Sequence, residues 1–211
     1  MLVVTGIDTD IGKTLLCAWL CIHTRWAYWK PIQTGAIQGS SESDSYRVRT
    51  LANVEILPEK YIYKKACSPH EASALEGEEI ITTALELPQQ PTIIEGVGGV
   101  CVPLTMKTLF IDLLCSWSIP TVLVSSGRLG TINHTLLTLE ALQNRSISVL
   151  GIIINGEYNI YTHKAIERYS NIPIVGYFPY LSTVTSSSLE SIPLPQVVQE
   201  YVDRYQRKEN M

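Results

Sequence analysis

The chain has 211 residues, of which 45% are hydrophobic and 17% charged, and its formal net charge is −4. This balance excludes an intrinsically disordered chain and gives no electrostatic reason to expect nucleic acid as a partner. No run approaches the roughly 18 apolar residues of a membrane helix. The apolar start is too short for a secretory signal and lacks its basic flank, so a single cytoplasmic domain over residues 1–211, with no membrane partner, is expected. The five cysteines, Cys17, Cys21, Cys67, Cys101 and Cys115, are odd in number and scattered. They read as reduced core thiols, and Cys17 and Cys21, one helical turn apart without paired histidines, do not suggest zinc.

The β-branched run Leu2 to Thr5 predicts a buried strand, and Thr14 to Trp26 predicts a helix. Between them lies Gly6-Ile7-Asp8-Thr9-Asp10-Ile11-Gly12-Lys13-Thr14. Strand, glycine loop, then Gly-Lys-Thr at a helix start is the context of a phosphate-binding loop. Helix N–H groups face the anion, Lys13 brings a point charge, and the Thr14 hydroxyl is a Mg2+ ligand. Five residues separate Gly6 from Gly12, one more than the general pattern, and Ile7 stands where its first glycine falls. A β-branched residue avoids positive φ, so this loop has a shape of its own.

Ala27 to Lys30 reads as a second strand, closed by Pro31 and followed by Thr34-Gly35. Lys30 then lies at a strand's carboxyl end, the edge where open α/β sheets bind ligands. Asp44 opens a helix to Leu51, either as a dipole-compensating acid or as a metal ligand. Val54 to Lys65 reads as weakly extended, with its tyrosines and lysines exposed. Ser68-Pro69-His70 turns into a short helix, where His70 caps, packs or lines a pocket. Glu78 to Leu87 predicts a short helix closed by Pro88 and Pro91. In Thr92-Ile93-Ile94-Glu95-Gly96-Val97-Gly98-Gly99 a buried strand ends in an acid backed by glycines. An unpaired carboxylate there is costly unless a cation such as Mg2+ stands beside it, and the glycines let a phosphate approach the backbone.

Thr108 to Trp117 predicts a helix and Pro120 to Ser125 a strand. Gly130-Thr131-Ile132-Asn133-His134 then opens a helix to Gln143, a second potential anion site. Ser146 to Asn155 and Ile172 to Tyr177 are further strands, flanking a helix over Ile160 to Tyr169. Ser182 to Ser191 reads as a polar, mobile loop. Leu194 to Gln206 is the last helix, with a fraying charged tail. Apolar strands alternating with helices predict an α/β fold: three layers, a mostly parallel sheet with helices on both faces, P-loop NTPase-like. Every polar motif falls just after a strand, on one edge of that sheet.

These segments, in this order, resemble the dethiobiotin synthetase family. The resemblance rests on the Gly6 to Thr14 loop with its extra residue, Lys30-Pro31 with Thr34-Gly35, Ser43-Asp44, Ser68-Pro69-His70, Glu95 to Gly99, Gly130 to His134, and Pro179-Tyr180-Leu181. It implies an ATP-dependent ligase of biotin biosynthesis, which carboxylates 7,8-diaminononanoate with CO2 and closes the ring through a carbamate and a carbamic–phosphoric anhydride. It also implies residue roles. Asp10, Ile11, Gly12, Lys13, Thr14 and Leu15 hold the ATP phosphates, with Gly96, Val97 and Gly98 beside them. Thr14, Asp44 and Glu95 hold Mg2+, an all-oxygen set suited to a hard cation. Lys30 is catalytic, with Lys13 adding charge. Thr9 and Thr34 position the substrate. Asn155 and Gly156, with Pro179, Tyr180 and Leu181, hold the adenine. The family is homodimeric, and the Gly130, Thr131, Ile132 and Asn133 helix start of one subunit binds the substrate carboxylate of the other. Ile7 replaces a usual threonine, Gly156 stands where an acid is frequent, residues 157–169 do not align, and the chain is short over 77–90. The competing reading is a nucleotide switch such as a partitioning ATPase; those carry an additional early loop lysine, where this chain has Ile7 and Asp8.

Overall fold

The structure, a computed structural model, describes residues 1–209. Its elements alternate along the chain: β1 (Leu2–Gly6), α1 (Lys13–Thr24), β2 (Ala27–Trp29), β3 (Ile32–Thr34), α2 (Asp44–Ala52), β4 (Ile56–Leu57), β5 (Tyr61–Tyr63), α3 (Pro69–Glu76), β6 (Thr92–Gly99), α4 (Phe110–Trp117), β7 (Thr121–Ser126), α5 (Thr131–Gln143), β8 (Val149–Asn155), α6 (Ile160–Ser170), β9 (Ile174–Phe178), α7 (Ser186–Glu190) and α8 (Gln196–Glu209). Among the described residues, seven strands form one sheet in the order β4-β2-β6-β1-β7-β8-β9. All its pairings are parallel. A parallel sheet sends every strand's carboxyl end to the same edge, so the polar motifs collect there.

Alternation along β1 divides the core. Leu2 and Val4 pack toward α1, α2, α7 and α8 with Trp19, Leu16 and Phe178. Val3 faces the opposite layer with Ile94, Phe110 and Leu114. Farther along that second face, Leu123, Ile152 and Ile154 meet Leu139 of α5 and Ile166 of α6. Each large side chain buried in this way contributes about 1.5–3 kcal/mol. These three layers are the predicted architecture.

Five local expectations are corrected. Val54 to Lys65 is not merely weakly extended: β5 pairs with β3 in a separate two-stranded sheet, Ile32 opposite Tyr61 and Thr34 opposite Tyr63. Tyr61 and Tyr63 are buried there rather than exposed, because they share one face of β5 and that face packs on Ile32 and Ala72. The helix expected over 78–87 is only a single 3-10 turn, Thr82–Ala84. The segment read as a mobile polar loop contains α7, whose Thr185 hydroxyl accepts from Ser188 N and whose Leu189 is fully buried. Of the cysteines, Cys17 and Cys21 are core residues, whereas Cys67 is half-buried and Cys101 and Cys115 are exposed. The last helix extends three residues beyond its predicted end, to Glu209; Asn210 and Met211, the end of the tail expected to fray, lie outside the described residues.

Candidate active site

The loop after β1 takes the shape its sequence requires. Asp10 (φ 53°) and Gly12 (φ 94°) enter the left-handed region, while Ile7 does not. Gly12 caps α1 and has no side chain to offer the first-turn N–H groups, which stay available to an anion. By contrast, α2 is capped by Ser43 Oγ, which accepts from Tyr46 N at 3.2 Å, and α6 by Asn159.

Four side chains from distant parts of the chain converge beside Gly12. The Thr14 hydroxyl lies 2.9 Å from Asp44 Oδ1 and 2.9 Å from Glu95 Oε1. Its single proton cannot satisfy both carboxylates fully. Lys30 Nζ stands 2.9 Å from Glu95 Oε1, 2.9 Å from Asp44 Oδ2 and 3.1 Å from the Gly96 carbonyl. Lys30 is one residue past the end of β2, and Tyr28 precedes it on the same face. The Tyr28 hydroxyl donates to Glu95 Oε2 at 2.7 Å. Glu95 is 1% exposed. It lies within β6, which continues to Gly99 rather than ending at the acid.

The electrostatics follow from burial and pairing. Burial pulls the Lys30 ammonium toward deprotonation, but the Glu95 and Asp44 charges outweigh it and hold its pKa above the ordinary lysine value. Burial pushes the Asp44 carboxyl up, yet the Lys30 charge and the hydrogen bonds from Lys30 and Thr14 hold it below the usual range. Lys13 has no such carboxylate contact: burial first, then repulsion from Lys30, lower its pKa. Its Nζ donates to the Asp8 carbonyl at 2.6 Å. Among the described residues no carboxylate is paired with this second positive centre at the loop, which suits it to an anion.

The donor set of one hydroxyl and two carboxylates is all oxygen, which would suit a hard cation such as Mg2+. Lys30 supplies positive charge between the two acids. Tyr28, which holds the second Glu95 oxygen, was not singled out from sequence. Its position two residues before Lys30 was the available signal, since i and i+2 share a strand face. Gln33 was also missed. Its Oε1 accepts from Asp44 N at 3.1 Å and its Nε2 donates to the Thr34 carbonyl at 2.8 Å, so it ties β3 to the start of α2.

The other predicted residues line the same edge without joining this cluster. Thr9 is exposed, its N–H donating to Asp8 Oδ1 at 2.7 Å, and Thr34 is half-buried. Asn155 reaches the loop directly through Ile11. Gly156 follows it, and Pro179 and Tyr180 are exposed while Leu181 packs against the core. Gly130 caps α5 with φ 93° and, like Gly12, has no side-chain cap. Thr131 does not present its side chain: its hydroxyl turns inward to Ser125 Oγ at 2.8 Å, and its N–H bonds the Arg128 carbonyl at 3.1 Å. Ile132 and Asn133 follow it in the first turn, where N–H groups have no partner within the helix. A cleft of about 420 Å³ opens between Ile7 and Asp8 of the loop, the segment Gly99 to Pro103, and His134 and Leu137 of α5.

Comparison with known proteins fits this geometry. A family model described as an AAA domain matches residues 1–188. The ATP-dependent dethiobiotin synthetase of Lawsonia intracellularis is 43% identical over 93% of this chain and 96% of its own length. The chain belongs to the ATP-dependent dethiobiotin synthetases. The synthetase of Paramagnetospirillum magneticum is 39% identical over 91% of this chain and 94% of its own. That of Brucella ovis is 43% identical over 89% and 90%. Among solved structures, a ParA family ATPase from Chlorobium tepidum (TM-score 0.54, 14% identity, 96% of each chain) shares the fold. So does the septum site-determining protein MinD from Pyrococcus horikoshii, with TM-score 0.54 and 15% identity over 94% of this chain and 88% of that one. The chain therefore shares its fold with proteins of very different sequence.

Proposed function

We propose that this chain, as one P-loop NTPase-like domain, converts 7,8-diaminononanoate, CO2 and ATP to dethiobiotin, ADP and phosphate, the reaction of the family to which it belongs. The observation that carries the reading is the meeting of the Thr14 hydroxyl and the Lys30 ammonium with the Asp44 and Glu95 carboxylates, each 2.9 Å from both acids, beside the Gly12 helix start. One substrate amine takes up CO2 and loses a proton to become a carbamate. A carbamate oxygen attacks the γ-phosphorus of ATP and ADP leaves. The second amine then attacks the carbonyl carbon, phosphate leaves, and the cyclic urea closes.

Both partners of the phosphoryl step are anions, so the site must concentrate positive charge where they meet. Lys13, without a carboxylate in contact, turns from the Asp8 carbonyl to the phosphates. Lys30, held between Asp44 and Glu95, neutralises the carbamate as it approaches. Thr14, Asp44 and Glu95 hold Mg2+, which supplies Lewis-acid polarisation of the phosphate oxygens when bound. Asp10 to Leu15 and Gly96 to Gly98 surround the phosphates. Asn155 and Gly156, with the Pro179 to Leu181 loop, take the adenine. Thr9 and Thr34 position the diamine.

The substrate carboxylate goes to the α5 start of a partner subunit, through the N–H groups of Ile132 and Asn133 rather than the inward-turned Thr131 hydroxyl. This makes the working unit a homodimer. A cytoplasmic location accords with reduced cysteines and with the absence, among the described residues, of any helix long and apolar enough to cross a membrane. The nucleotide-switch reading has only fold likeness behind it, at 14–15% identity.

The test is direct. Protein mixed with ATP, Mg2+, bicarbonate and diaminononanoate should yield dethiobiotin by mass spectrometry, with ADP release dependent on the diamine. Folded protein that forms no dethiobiotin, or that hydrolyses ATP regardless of the diamine, rejects the proposal.

A further inference from the structure

Asn155 is fixed in place by its strand neighbours. It pairs with Ser126 of β7 on one side and Phe178 of β9 on the other. Its carbonyl accepts from Gly127 N at 3.2 Å, and the next residue's N–H, from Gly156, donates to the Phe178 carbonyl at 2.9 Å. From this anchored position its side-chain Nδ2 donates to the Ile11 carbonyl at 2.9 Å, across 144 residues of sequence. A carbonyl only accepts, so the NH2 end of the amide must face it; the orientation is dictated by chemistry.

The segment of loop that Asn155 touches is its most contorted part. Asp10 and Gly12, on either side of Ile11, both hold positive φ, 53° and 94°. For Asp10 that conformation is costly unless the surroundings impose it. A Cβ on Gly12 would collide with Asn155 Nδ2, so the turn lies directly against the amide. The α1 cap itself provides no side-chain hydrogen bond. The loop's ends are tied elsewhere, by Ile7 N to the Val124 carbonyl at 3.1 Å and by Leu16 N to the Gly12 carbonyl at 3.0 Å. The Asn155 amide is the side-chain hydrogen bond that reaches the turn between them from another strand.

We propose that Asn155 is a positioning residue of the phosphate loop: by holding the Ile11 carbonyl it keeps the 10–12 turn in the shape that aims the α1 N–H groups at the triphosphate. The inference rests on the reading above that this loop takes the phosphates of ATP, and it goes beyond a role in holding adenine. The amide retains a second N–H and Oδ1. One side chain therefore links the base end of the site to its phosphate end.

Inorganic tripolyphosphate separates the two roles because it has no base. Its affinity and that of ATP, each with Mg2+, are measured by calorimetry for the wild type, for Asn155→Ala and for Asn155→Leu, which keeps bulk without a donor. Loss of one hydrogen bond predicts tripolyphosphate binding weakened about five-fold in both variants, and ATP binding weakened further. Circular dichroism confirms that each variant is folded. Unchanged tripolyphosphate affinity in a folded variant, with ATP affinity reduced or a lowered melting temperature alone, overturns the proposal and leaves Asn155 a base contact or a packing residue. Recovery in Asn155→Leu also overturns it, since packing rather than the donor then matters. A wild type that binds ATP but no tripolyphosphate removes the phosphate-loop reading and the proposal with it.

Discussion

Lys30 answers to three acceptors at once, two carboxylates and a carbonyl, which together orient its ammonium. Lys30→Gln retains a donor but no charge. Turnover should fall on the order of 100-fold or more while ATP affinity changes little, because the lost interaction belongs to the transition state; steady-state rates and nucleotide titration check this split. Glu95→Ala strips Lys30 of one carboxylate and Tyr28 of its acceptor inside the core. It should cost about 3–5 kcal/mol in urea denaturation and weaken Mg2+-dependent ATP use. Glu95→Gln, which keeps the shape, should fold and still need more Mg2+. The pH dependence has a definite sign. Asp44 has a folded pKa below its unfolded one, so its stabilisation is present above about pH 4 and is lost as pH falls through the lower folded value. Lys30 is raised, so its contribution is complete below about pH 10.5 and is lost only as pH climbs through the higher folded value. Asp44→Asn should therefore flatten the acid limb of a plot of urea midpoint against pH; an unchanged limb assigns acid sensitivity to other carboxylates. Lys30 was legible in the chain because it follows a strand, Asp44 because it opens a helix, and Glu95 because an acid in a buried strand is costly without a partner. Tyr28 was not, because an aromatic in a strand looks like any core residue until its hydroxyl is seen to meet Glu95.

At the scale of elements, the long units were readable and several of the short ones were not. The β1 to α1 unit announces itself by an apolar run, two glycines and Gly-Lys-Thr, all local in sequence. By contrast, β3 and β5 have three residues each, and their order comes from pairing across intervening α2 and β4, which no local pattern contains. The helix expected over 78–87 failed for a related reason. Ile80 and Leu85 are buried while Ile81 is 57% exposed, so the segment is pinned by two isolated anchors instead of one apolar stripe. The same logic in reverse hid α7, where a single leucine among serines carries no periodicity. Yet Leu189 is fully buried with Trp19 and Phe178 in the core beneath α1, and Trp19 Nε1 donates to the Ile192 carbonyl at 2.8 Å just beyond it. Leu189→Ala should cost about 2–5 kcal/mol in urea denaturation. Hydrogen exchange over 186–190 should be protected in the wild type and lose protection in the variant. A cost under about 0.5 kcal/mol, the scale of surface substitutions, returns the segment to a loop.

The sheet order decides what the whole molecule can and cannot do alone. With β1 central, the phosphate loop has β6 and β2 on one side, bringing Glu95 and Lys30, and β7 and β8 on the other, bringing the α5 start and Asn155. Among the described residues the α5 start forms no hydrogen bond or ion pair with the Thr14 cluster. Beside it, Leu129 is fully exposed and Leu137 is 58% exposed, apolar surface of the kind a partner covers. A homodimer that shares sites across its interface accounts for both facts, and complementation distinguishes it from two self-sufficient subunits. Lys30→Gln removes the charge proposed to act in catalysis. Asn133→Asp sets a carboxylate at a helix N-terminus, where it favours the helix yet repels the carboxylate of the diamine, so it should fold and fail. Each variant alone should be nearly inactive. Mixed in equal amounts after subunit exchange, half of the dimers carry one of each. In a shared arrangement every such dimer has one site with intact Lys30 and an intact α5 start, and one site lacking both, so the mixture should recover roughly a quarter of the wild-type rate. If each subunit uses its own α5 start, every site keeps one defect and mixing restores nothing. Light scattering of the unmixed wild type should give twice the 23.5 kDa of one chain. A monomeric mass with full activity would make exposed Leu129 and Leu137 ordinary surface and confine the carboxylate site to a single subunit.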